Sequence, residues 1–174
     1  MDSSRNHFAL FGLPVTFAID ARALDDAYRS LQAQVHPDRH AAGSDADRRS
    51  AMQSSAQVNE AYRALKDPVE RARYLLSLRG VDAFDERDTK LPLEFLEAQL
   101  ERRERAAQAV EAADIETLDR ILADVRAEIR ARQDDIGRLL DDASAIEQAK
   151  GAVRELRFLA KVAEDVDAML GSLD

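Results

Sequence analysis

The chain has 174 residues with a formal net charge of −9, 34% charged and 45% hydrophobic, which bounds it to one or two small water-soluble domains. It contains no Cys and no Trp, which excludes disulfides, thiolate metal centres and Cys nucleophiles. With 3 Tyr and 6 Phe, the core must rest on Leu, Ala, Val and Ile, a composition that suits helices better than sheets.

No run approaches the ~20 apolar residues of a bilayer span, and the N-terminus lacks the basic-then-apolar order of a signal peptide. A cytoplasmic location is therefore expected. The acidic balance argues against nucleic acid as a partner, and no membrane partner is expected. Charge is unevenly spread: residues 1–80 carry 11 Lys+Arg against 10 Asp+Glu, whereas residues 81–174 carry 14 against 24. Two regions with different electrostatics suggest two roles.

Gly12 and Pro14 close a short segment that begins near Asn6, and Asp20 offers an N-cap for the next helix. There Leu24, Ala27, Tyr28, Leu31 and Val35 recur at three- and four-residue spacing on one face. Pro37 ends that helix, so residues 36–45 are expected to form a loop. A third helix is expected from about Asp45 to Leu65, with Ala51, Ser55, Val58, Tyr62 and Leu65 on one side. Asp67-Pro68-Val69-Glu70 reads as a restart: a cap, a proline at the first helical position and an acid at the third. A short helix carrying Val69, Ala72, Leu75 and Leu76 follows and stops at Gly80. Residues 79–91, acidic and without apolar period, read as a linker.

From Pro92 the composition turns strongly helix-forming. Ile115, Leu118, Leu122, Val125, Ile129, Ile136 and Leu139 trace a heptad seam broken at Arg132. Ile146, Ala149, Val153, Leu156, Leu159, Ala163, Val166 and Leu170 trace another. With Pro92 to Ala113 as a third partner, the expected architecture is an antiparallel three-helix bundle with turns near Asp114 and near Asp141 to Ser144.

His36-Pro37-Asp38 lies in the loop between the second and third helices. Tyr28-Arg29 and Leu31 precede it, and Asn59-Glu60-Ala61-Tyr62-Arg63-Ala64-Leu65 with Asp67-Pro68 follows. This combination resembles the J domain of DnaJ-type co-chaperones. Three further features extend the likeness: Phe8-Ala9-Leu10-Phe11-Gly12-Leu13-Pro14, Arg71-Ala72-Arg73-Tyr74-Leu75-Leu76, and an acidic helical second half containing Leu156-Arg157-Phe158-Leu159. Together they are similar to the HscB-type co-chaperones of iron–sulfur cluster assembly, over essentially the whole chain. The resemblance implies an all-α protein with a J domain at 1–78, a linker at 79–91 and a three-helix bundle at 92–174.

The resemblance further implies that the J domain docks on an HscA/DnaK-type chaperone and stimulates its ATPase. His36, Pro37 and Asp38 would carry that contact, with Arg22, Arg29 and Arg39 as the surrounding basic surface. Pro37 fixes the turn, and Asp38 is an acceptor-only carboxylate suited to charge-assisted hydrogen bonds from a partner Arg. The bundle is implied to bind an IscU-type scaffold protein through Leu96, Leu100, Glu101 and Glu104 on its first helix and Phe158 on its third. Glu97 and Gln108 depart from the family's pattern there. Periodicity leaves two seams open on that helix: Leu93, Leu96, Leu100, Ala107 and Val110, or Phe95 and Ala106.

Two other readings compete. The bundle of a J-domain adaptor could recruit a different client, and His36, Asp38 and His40 could be ligands of a metal-dependent enzyme. Pro37 disfavours the helix that would put both histidines on one face. No Gly-rich phosphate loop, G-x-S-x-G elbow or H-E-x-x-H run occurs. Neither catalysis nor a cofactor is therefore expected of the chain itself.

Overall fold

The computed structural model describes residues 6–35, 44–85, 87 and 90–173. Among the described residues the chain is helical without strands: α1 (His7–Leu10), α2 (Ala21–Val35), α3 (Asp45–Lys66), α4 (Pro68–Ser77), α5 (Leu93–Glu111), α6 (Ile115–Asp141), a 3-10 turn (Ala143–Ala145) and α7 (Ile146–Gly171). None of these helices is long and apolar enough to cross a membrane. Internal contacts divide the chain into two units, Met1–Leu75 and Leu76–Asp174.

Side-chain caps set most helix starts in the first unit, because they satisfy N–H groups that lack an intrahelical acceptor. Asn6 Oδ1 accepts from the Ala9 N–H, opening α1. Asp20 Oδ1 accepts from the N–H groups of Arg22 and Ala23, opening α2. Ser44 and Asp47 form a reciprocal capping box at α3, and Asp67 accepts from the Glu70 N–H at α4.

The long pair α2 and α3 runs antiparallel, and α1 packs on α3. Phe8, Leu24, Val58, Leu65 and Ala72 are fully buried, with Phe11, Phe17, Ala61 and Leu75 close behind. Burying each large apolar side chain stabilises the fold by about 1.5–3 kcal/mol.

In the second unit α5, α6 and α7 form the antiparallel bundle, α6 packing against both neighbours. Asp114 accepts from the Thr117 N–H and caps α6; Asp142 caps the 3-10 turn that leads into α7. Ala106 and Ala109 of α5, Leu118, Ile121, Leu122 and Val125 of α6, and Val166 of α7 make one cluster. Ile136, Leu140, Ala149, Val153, Leu156 and Leu159 are also buried. Two seam assignments need correction. Ile115 is 42% exposed at the first position of α6, directly after the turn from α5. Leu140 takes the burial expected of Leu139, because a helix of 3.6 residues per turn drifts about 20° per heptad from a strict seven-residue repeat.

Residues from Leu76 onward group with the second unit. Gly80, at φ 76°, turns the chain after α4 so that the Val81 N–H bonds back to the Leu76 carbonyl. Within the 79–91 stretch Ala83 is fully buried, and its carbonyl accepts from Arg154 Nε of α7 at 2.8 Å. Arg79 donates to the Leu140 carbonyl at the C-terminal end of α6.

Candidate interaction surfaces

The α2–α3 pair is joined by polar rungs as well as apolar packing. At one end Asp25 accepts from the Tyr62 hydroxyl at 2.9 Å and from Lys66 Nζ at 2.6 and 2.8 Å. These donors hold the Asp25 carboxyl below its ordinary range, the Lys66 bond being the largest cause. In the middle the rings of Tyr28 and Tyr62 stack with centroids 4.0 Å apart. Further along, Asn59 Oδ1 accepts from both Tyr28 and Gln32, and Ser55 donates to Gln32 Oε1. Successive rungs along an antiparallel pair fix its register.

That pair carries the expected chaperone-facing residues. Arg22 and Arg29 are exposed on α2. Arg29 is paired with Asp26 one turn before it, whereas the Arg22 side chain has no ion pair among the described residues. Surface pairs such as Arg29–Asp26 contribute little and open readily. His36, Pro37, Asp38, Arg39 and His40 lie outside the described residues. Both the chaperone-contact and the metal-ligand readings of these residues fall there.

On α5 the structure separates the two seams that periodicity leaves open. Gln99, Ala106 and Ala109 are buried, with Phe95, Arg102 and Val110 half-buried beside them. The opposite row faces water: Leu93 is 70% exposed, Leu96 40% and Leu100 59%. Their spacing of three and then four residues makes them one continuous apolar strip on the helix. Glu97, Glu101, Glu104 and Gln108 are exposed as well, and the three carboxylates have no ion pair among the described residues. Leu93 lies outside the residues that the family resemblance implies, and its spacing to Leu96 and Leu100 is the signal that joins it to the strip.

The buried seam of α5 is unusual in containing Gln99. Its Oε1 accepts from Arg102, which also pairs with Glu128 of α6, so the buried amide oxygen is satisfied. Phe158 of α7 sits 36% exposed and meets Phe95 of α5 edge to face, ring centroids 5.6 Å apart. Phe158 therefore remains accessible beside α5 while the adjacent Leu156 and Leu159 enter the core.

An antiparallel helical pair on either side of the sequence His36-Pro37-Asp38, followed in the chain by a three-helix bundle with an exposed apolar strip, defines a J-domain protein with a second, helical domain. A model of the DnaJ domain matches residues 6–74, and one described as the HSCB C-terminal oligomerisation domain matches residues 91–167. The co-chaperone protein HscB homolog of Burkholderia vietnamiensis is 50% identical over 169 residues, covering 97% of this chain and 96% of that protein. The homolog of Ralstonia nicotianae is 48% identical over 172 residues, 99% and 98% of the two chains. Among solved structures, the chaperone HscB from Vibrio cholerae superimposes with a TM-score of 0.88 at 36% identity, covering 98% of this chain and 100% of that one. Human co-chaperone protein HscB gives 0.87 at 27% identity, with 97% and 83% covered. The chain belongs to the HscB family of J-domain co-chaperones.

Proposed function

We propose that the protein stimulates the ATPase of an HscA/DnaK-type chaperone and delivers to it an IscU-type scaffold protein during iron–sulfur cluster assembly and transfer. Residues 1–78 act as the J domain, 79–91 as the connection and 92–174 as the client-binding bundle, in the cytoplasm. Asp38 accepts charge-assisted hydrogen bonds from the chaperone, Pro37 fixes its turn, and His36 holds the loop geometry. Arg22, Arg29 and Arg39 speed encounter with an acidic chaperone face. The Asp38 contact favours hydrolysis to the extent that it is stronger in the hydrolysis-competent chaperone than in its resting form.

The observation that carries this reading is the exposed strip of Leu96 and Leu100 on α5, flanked by the exposed carboxylates Glu101 and Glu104 and accompanied by accessible Phe158. A small domain leaves leucines in water at three- and four-residue spacing at a cost to solubility, and such patches mark binding sites. Leu96, Leu100 and Phe158 supply apolar anchors, and the two glutamates set the orientation of the scaffold on them.

The test has two arms, both on the full chain. Asp38→Asn is expected to abolish stimulation of a DnaK/HscA-type ATPase with the helical circular dichroism unchanged; undiminished stimulation refutes the J-domain mechanism. Titration with the scaffold protein is expected to saturate for wild type and to weaken sharply for a Leu96→Ala, Leu100→Ala, Phe158→Ala triple variant. Absence of saturable wild-type binding refutes the scaffold assignment and favours an adaptor for another client.

A further inference from the structure

Beside Phe158 a cavity of about 330 Å³ opens between α7 and the residues Phe84, Asp85 and Leu91. It is lined by the apolar side chains Phe84, Leu91 and Phe158 and by the charged Asp85, Arg154, Arg157 and Lys161. Most of these charges are engaged. Asp85 is gripped by Arg87 through two side-chain bonds of 3.0 and 2.8 Å. Lys161 pairs with Glu164 and Asp165, and Arg154 donates to the Ala83 carbonyl.

Arg157 differs. Its guanidinium lies 4.4 Å from the Phe84 ring centroid and has no ion pair among the described residues. A guanidinium stacked on a ring keeps its in-plane N–H donors free, and the ring below fixes its orientation. The result is a set of guanidinium donors available to a carboxylate beside an apolar cavity, in a region of the chain where acids outnumber bases 24 to 14. Glu97, Glu101 and Glu104 on α5 repel an acidic group, whereas Arg157 offers it hydrogen-bond donors beside an apolar surface.

We propose that the cavity lined by Phe84, Leu91, Phe158 and Arg157 is a second subsite that takes a client segment in which an apolar side chain stands next to a carboxylate. The apolar side chain enters against Phe84 and Phe158, and the carboxylate takes paired hydrogen bonds from Arg157. This rests on the scaffold-binding reading above, which it deepens by giving the surface a polarity: Glu97, Glu101 and Glu104 beside the apolar strip, an arginine beyond Phe158. A client complementary to it presents basic groups to Glu97, Glu101 and Glu104 and an acidic–apolar pair to α7.

The cavity's chemistry is tested without the client, by aromatic NMR of the full chain titrated with acetyl-Phe-Glu-amide and with acetyl-Phe-Gln-amide. The glutamate peptide is expected to bind about fivefold tighter, with shifts at Phe84 and Phe158, and Arg157→Gln is expected to erase the preference. Equal binding of the two peptides, or a preference that survives Arg157→Gln, overturns the subsite.

The occupant is tested by titrating the IscU-type scaffold protein. Arg157→Gln is expected to weaken it about tenfold at low salt, with the gap closing at high salt and Arg157→Lys falling between. If the scaffold binds wild type and Arg157→Gln equally while the peptide preference holds, the client assignment of the subsite is wrong. If the scaffold fails to bind wild type at all, the underlying reading of the bundle falls, and the peptide result still decides the subsite's chemistry.

Discussion

The Tyr28 hydroxyl on α2 donates a 2.9 Å hydrogen bond to Asn59 Oδ1 on α3, and Gln32 Nε2 donates to the same oxygen. One amide carbonyl, with two lone pairs, thereby ties two turns of the facing helix. Removing the carbonyl leaves two half-buried donors without their partner. Asn59→Leu is therefore expected to destabilise the first unit by about 1–3 kcal/mol, and Asn59→Asp, which keeps an acceptor, by less. For a domain of this size that corresponds to a drop of about 4–8 °C per kcal/mol. All three tyrosines lie in residues 1–75 and the chain has no Trp, so thermal unfolding followed by tyrosine fluorescence reads this unit alone.

His7 gives the same unit a pH dependence. Its ring stacks on Tyr74 with centroids 4.1 Å apart, and burial pushes its pKa below the ordinary 6.5 against a smaller opposing pull from Glu60. The folded state thus binds a proton on His7 less readily than the unfolded chain. Stability is full above the unfolded value and declines as pH falls through that value toward the folded one. His7→Phe keeps a ring against Tyr74 and removes the proton site. Tyrosine-monitored denaturation is expected to show wild type losing more stability than His7→Phe between about pH 7.5 and 5.5; equal losses would exclude His7 as the source.

Much of this architecture is legible in the sequence because its punctuation acts locally. Asn6, Asp20, Asp67 and Asp114 accept from N–H groups two or three residues on, and such caps need nothing from the rest of the chain. The faces of α5 are not legible. Leu93, Leu96 and Leu100 have the spacing of a core seam, while the real seam contains Gln99, a residue that reads as surface. Gln99 is tolerated inside only because Arg102 donates to it and Glu128 holds Arg102, a partnership reaching 26 residues along the chain. The Arg157–Phe84 stack is equally invisible, since one partner belongs to a stretch without periodicity and the other to a helix more than 70 residues later.

Arg132, the residue that interrupts the α6 seam, reaches Glu155 of α7 at 2.6 Å and Asp135 at 3.6 Å. The Glu155 side chain is 12% exposed, and burial raises its pKa, with Arg132 opposing. Bringing such a pair inside costs desolvation that the attraction only partly offsets, whereas removing one partner strands the other. Arg132→Leu alone is expected to destabilise the second unit by about 1–3 kcal/mol. The Arg132→Leu, Glu155→Leu double variant should recover most of that loss. Urea denaturation followed by helical circular dichroism, arranged as a double-mutant cycle, measures the coupling; strictly additive losses would show that the two side chains act independently.

The exposed strip on α5 separates binding from stability. Leu100 is 59% exposed and Leu156 1%, so truncating each to alanine removes a similar number of atoms from very different surroundings. Leu156→Ala should cost about 2–5 kcal/mol by opening a cavity in the bundle. Leu100→Ala should change stability by no more than about 0.5 kcal/mol, alanine being a better helix former than leucine. For scaffold binding the order reverses at temperatures where both variants are folded: Leu100→Ala is expected to weaken it about tenfold or more, as loss of an interface anchor does, and Leu156→Ala to leave it within about threefold. Urea denaturation and calorimetric titration on the same preparations give both quantities. A Leu100→Ala variant that loses stability and keeps its affinity would return Leu100 to the core and remove the strip from the client site.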